Sequence, residues 1–148
     1  MEVWHYISTT LVGNHGITGA KVAGPTKINQ RSDSVVIYFG ANETAQPQQA
    51  AQALTAKFAA EYFDPGVPAG MAELARGIGY AEQSSPGASH GKSRAPVVAT
   101  AISKLPPFDA KASDAENEAK MATALRAALL AAQIDPDHAE RNLKKPAK

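Results

Sequence analysis

Ser34-Val35-Val36-Ile37-Tyr38-Phe39, closed by Gly40, decides how the fold is read. The β-branched and aromatic residues after Ser34 suit a pleated surface and lose rotamer freedom in a helix. An unbroken apolar run of this length predicts a strand buried on both faces, the central strand of a small sheet. Upstream, Lys21-Val22-Ala23 forms a second extended piece, Gly24-Pro25 turns the chain, and Thr26 to Arg31 is an exposed connection. Further upstream, Val3, Trp4, Tyr6 and Ile7 make a β-prone run before the turn residues Gly13, Asn14, Gly16 and Gly19, so residues 1–18 are expected to add one strand.

Downstream, Pro47 opens a helix in which Ala51, Leu54, Phe58 and Tyr62 recur at helical spacing. Asp64-Pro65-Gly66 stops it, and Met71 to Leu74 is expected to carry one helical turn. Gly77-Ile78-Gly79-Tyr80-Ala81 reads as a short strand with close backbone approach at its glycines, followed by a loop from Gln83 to Ala88. Val97, Val98, Ala101, Ile102 and Leu105 give a second helical stripe, with Pro96 acceptable only near its start and Pro106-Pro107 at its end. Ser113 and Glu116 form a capping box for a last long helix faced by Met121, Leu125, Leu129 and Ala132, with Glu116 and Lys120 paired on its surface. Asp135-Pro136-Asp137 makes a turn, and residues 143–148 are a basic tail. These elements predict an α+β fold, a small mixed or antiparallel sheet packed by two to three helices.

At 148 residues and 44% apolar, the chain fits one domain with a modest core. Fifteen Lys and Arg against 14 Asp and Glu leave a net charge of +1, too little to hold nucleic acid or an anionic membrane by its overall field. Any anion site must be local. Zero Cys excludes disulfides, thiolate clusters and a thiol nucleophile. No run approaches the roughly 18 apolar residues of a spanning helix, and Met1 to Ser8 lacks the make-up of an export signal.

The densest chemistry lies in Ser89-His90-Gly91-Lys92-Ser93-Arg94, at the start of the second long helix. Unpaired N–H groups and partial positive charge at a helix N-terminus suit a phosphate or carboxylate. The competing reading makes Ser89 or Ser93 a helix cap and leaves Lys92 and Arg94 solvated. The spacing of a P-loop is absent. Lys21, Lys27 and Arg31 form a second basic group, which solvation alone also explains. His5, His15, His90 and His138 have no ligand spacing, so neither a metal nor another cofactor is expected. Glu82 reads as a surface carboxylate at a strand end, or as a group that orients a cation or acts as a base. A triad built on His90 is unspecific, since no nucleophile-elbow sequence accompanies it.

The order of segments carries a further signal. Residues 19–27, Ser32-Asp33-Ser34 running into Val36-Ile37-Tyr38, residues 77–82, Ser89-His90-Gly91 with Arg94, and Glu116-Asn117 with Lys120-Met121-Ala122 resemble, in register, the C-terminal part of the HopA family. Its members are effectors that bacterial type III secretion injects into plant cells. On this resemblance residues 19–142 form the effector domain, preceded by an atypical segment 1–18. It implies a fold similar to that of phosphothreonine lyases and of lyase-like domains in some lanthipeptide synthetases. It also implies a virulence protein that acts on host immunity by binding a host protein at an anion-binding cleft. The alternatives it leaves are a lyase that eliminates phosphate from phosphoserine or phosphothreonine, and an inactive fragment.

For the lyase, Lys21 or Lys27 would be the base, His90 the acid, and Arg31, Ser89, Gly91 and Arg94 the phosphate holders. A lysine base needs desolvation or neighbouring cations to act near neutral pH. The resemblance further implies a bacterial cytoplasmic protein that is secreted into the host cell where a secretion signal is present. A secretion chaperone would bind the N-terminal half of family members, which Met1 to Thr18 does not resemble.

Overall fold

The computed structural model describes residues 2–24, 26–27, 34–40, 45–83 and 89–143. It is α+β, with four α-helices and two separate two-stranded antiparallel sheets among the described residues. The chain divides into two compact units, residues 1–80 and 81–148.

Unit 1 begins with a helix where a strand was expected. Helix α1 (Glu2–Tyr6) runs into one wide π-helical turn (Ile7–Leu11), closed by the Val12 N–H donating to the Ile7 carbonyl at 3.0 Å. The β-prone run also carries a helical stripe, since Trp4, Ile7 and Leu11 recur at steps of three and four. Burial decides between the two periods: Ile7 and Leu11 are each 1% exposed and form the core of the unit with Leu54.

Strand β1 (Ile17–Val22) pairs with β2 (Val35–Phe39), with a register irregularity between Ile17 and Gly19. The apolar run is therefore a strand, but one of a pair; all five of its residues are half-buried. Val35 and Ile37 face the core while Val36 and Tyr38 fall at alternate positions.

Helix α2 (Gln46–Lys57) has Pro47 in its first turn and buries Ala50, Ala51 and Leu54. It stops five residues before the helical spacing does, because Phe58 turns to extended backbone and a 3₁₀ turn (Ala60–Tyr62) follows. Phe58 meets Tyr6 edge-on, ring centroids 5.6 Å apart, and Tyr62 at 5.4 Å. The Tyr6 contact belongs to tertiary packing, and no local period records it.

The expected helical turn at Met71 to Leu74 is instead strand β3 (Ala72–Ala75), paired with β4 (Ile78–Tyr80). Ala-Glu-Leu-Ala favours a helix by intrinsic propensity, and strand pairing overrides that preference. The hairpin turns at Gly77, φ +66°, where a Cβ would collide with the Asp64 carbonyl oxygen.

Unit 2 is built on helix α3 (His90–Ser103) and helix α4 (Asp114–Ala131), which pack together. Pro96 sits at the seventh residue of α3, deeper than its start, and the helix continues past it. The capping box on α4 is complete: Ser113 Oγ accepts from the Glu116 N–H, and the Ser113 N–H donates to Glu116 Oε2 at 2.8 Å. The Glu116 carboxyl is held below its usual range by the Ser113 N–H and the Ser113 hydroxyl, which both donate to Oε2.

At its other end α4 closes with a Schellman motif. The Ile134 N–H donates to the Leu129 carbonyl and the Gln133 N–H to the Leu130 carbonyl, with Gln133 in the left-handed region at φ 60°. Ile134 and Leu129 are both buried, which supplies the apolar contact of that motif. Residues 134–143 then form a short excursion, tied by the Ile134 and Asn142 bridge and by Asp135 Oδ1, which accepts from the Asp137 and His138 N–H groups.

Candidate functional site

The six-residue segment of unit 2 behaves as a helix start with one unusual member. Ser89 caps α3, its Oγ accepting from the Lys92 N–H at 3.3 Å. Gly91 is exposed, with open space where a Cβ would stand, and His90 is half-buried. The Ser93 hydroxyl donates to the His90 carbonyl at 2.8 Å and accepts from Arg94 Nη1 at 2.9 Å.

Arg94 is 6% exposed, unlike a solvated helix-surface arginine. Its Nε donates to the Ala139 carbonyl at 3.1 Å and its Nη2 to Asn142 Oδ1 at 2.9 Å. With Ser93 Oγ, its bonded partners among the described residues are all neutral oxygens. Burial pushes the Arg94 guanidinium below its ordinary value, and the Glu82 carboxylate acts against that push.

Glu82 is half-buried and accepts the Asn142 N–H at Oε2, 2.8 Å away, while its own N–H donates to the Glu140 carbonyl at 2.7 Å. The Asn142 side chain completes the set by donating to the Gln83 carbonyl at 2.8 Å. Beside this network, the buried Glu140 carboxylate lies 3.3 Å from Arg141 Nε and 3.4 Å from His138 Nδ1. Asn142 and Ala139 escaped sequence reasoning because their roles rest on contacts 48 and 45 residues away in the chain.

In unit 1, Lys21 is exposed on β1, its Nζ 5.7 Å from the centroid of the Tyr38 ring, within cation–π range. Lys27 is exposed in the turn after Gly24, where its N–H donates to the Gly24 carbonyl. Arg31 lies outside the described residues. Among the described residues no group of three His, Asp or Glu could hold a metal ion, and no helix is long and apolar enough to cross a membrane.

A model of the HopA1 effector protein family matches residues 1–141, the first 18 included. The chain belongs to this family. A solved structure agrees: that of the effector protein from Pseudomonas syringae pv. tomato strain DC3000 is similar with a TM-score of 0.75 and 25% identity, over 97% of this chain and 52% of that one. The HopA1-family chain thus spans about half the length of that effector. Among curated proteins none matches.

Proposed function

We propose that this HopA1-family chain acts as a type III effector, delivered into a host cell, where it binds a host protein through an anion-seeking surface at the start of α3. Arg94 carries the reading: it is a guanidinium buried at the N-terminal half of a helix, with neutral oxygens as its bonded partners among the described residues. A buried cation in that setting gains more from an anionic partner than a solvated one does. Gly91 and Lys92, both exposed in the first turn of α3, add backbone access and a second cation.

The test is binding of a phosphothreonine peptide against its unphosphorylated twin, followed by calorimetry. The phosphorylated peptide should bind tighter, and Arg94→Lys, which keeps the charge and loses the planar fork, should weaken it by about tenfold. Equal binding of the two peptides overturns the anion-binding reading. A product lighter by the elements of phosphoric acid would convert the binder into a phosphate-eliminating lyase, with Lys21 and Lys27 as the bases to replace next.

A further inference from the structure

We infer that residues 139–143 are a strap that closes over Arg94 and can open without unfolding the helices of unit 2. What holds the segment is almost wholly polar. Arg94 bonds to Ala139 and Asn142, Glu82 bonds to Asn142 and Glu140, Gln83 bonds to Asn142, and backbone bonds join Leu143 to Gln133 and Arg141 to Asp135 and His138. The apolar anchor of the excursion, Ile134, lies before the strap and stays with α4 through its contact at Leu129. Ala139 and Leu143 are only half-buried, so lifting the strap exposes little apolar surface. Segments with few apolar contacts and solvent-near backbone bonds lie at the low end of local stability.

Two charges make the open state accessible as well. Asn142 stands between Arg94 and Glu82, giving its Oδ1 to one and its N–H to the other. When the strap leaves, Arg94 Nε and Nη2 lose their partners Ala139 and Asn142, Nη1 keeps its bond to Ser93 Oγ, and the Glu82 carboxylate still offsets the guanidinium charge through space. Neither is left as an uncompensated buried charge, which is what otherwise makes opening such a site costly. Glu140 and Arg141 both lie in the strap and move together, so that pairing survives. The closed strap occupies Arg94 donors that an anion would use, and its opening regulates the anion-binding surface; that last step rests on the function proposed above.

Native-state amide exchange of the full chain tests the strap, with inorganic phosphate as the probe of Arg94. In the wild type, the Arg141 and Leu143 amides should exchange at least tenfold faster than the interior amides of α3 and α4, and low denaturant should leave their rates unchanged. Asn142→Ala should speed them by about a further tenfold, with the helix amides unaltered, and should tighten phosphate binding by a similar factor. Strap and helix amides exchanging together overturn the strap, and the wild-type measurement decides this even if Asn142→Ala fails to fold. Local opening without phosphate binding in the variant refutes the regulatory role and the anion reading, while leaving the strap itself intact. Phosphate binding equal in both proteins, without local opening, leaves the anion reading standing and ends the strap.

Discussion

The two units of this chain are stabilised in different ways. Unit 1 is closed by side chains: Ile7, Leu11 and Leu54 are buried together, and Trp4, Tyr6, Phe58 and Phe63 pack around them. Its strands and helices are short, and neither two-stranded sheet would stand alone in water. Unit 2 has two long helices and, among the described residues, three buried apolar ones, Ala101, Leu129 and Ile134, and it adds a polar network around Arg94 and Glu82. Apolar packing is indifferent to direction, whereas hydrogen bonds fix which atoms meet. The first unit is therefore sensitive to lost volume, and the second to lost partners.

Removing volume from unit 1 should give the largest effect. Leu11→Ala leaves a cavity beside Ile7 and Leu54, and comparable core truncations cost about 3 kcal/mol. Trp4 is the single Trp and packs against that cluster, so its fluorescence in a denaturant titration reports on unit 1 directly. A loss below about 1 kcal/mol, the level of a surface change, would mean that the cluster does not hold the unit.

A second contrast concerns the left-handed backbone positions. Among the described residues unit 1 places glycine at each of its own, Gly77 among them, while unit 2 uses Gln133. Gly77→Ala should cost about 2 kcal/mol, from the strained φ and from the collision with the Asp64 carbonyl. The same fluorescence titration checks it, and an unchanged midpoint would show that the β3–β4 turn relaxes freely.

What the sequence makes legible follows the range of the interaction. The α4 capping box and the Ser89 cap are readable because donor and acceptor lie within a few residues of one another. The N-terminal helix, the early end of α2 and strand β3 are not, because Ile7, Phe58 and Ala72 follow partners elsewhere in the unit. Arg94 shows both sides. Its place at a helix start is local and legible, but its burial depends on residues 139–142, and a basic side chain near a helix end reads as solvated.

The smallest effect should have the opposite sign. Gln133 is the left-handed residue of the Schellman motif that ends α4, and its side chain is exposed, its Nε2 reaching only the Leu130 carbonyl at 3.4 Å. A non-glycine residue in that region carries a steric penalty of about 1 kcal/mol, since Cβ crowds the following carbonyl. Gln133→Gly removes the penalty and keeps both motif hydrogen bonds, which are made by the backbone. The gain is reduced by the extra freedom glycine gives the unfolded chain, so the net rise in stability should be about 0.5 kcal/mol. It should appear as a small upward shift in the thermal midpoint followed by circular dichroism at a helix wavelength. A downward shift would mean that the Gln133 side chain, rather than the backbone, secures the end of α4, and that unit 2 depends on a side-chain partner even where its backbone alone suffices.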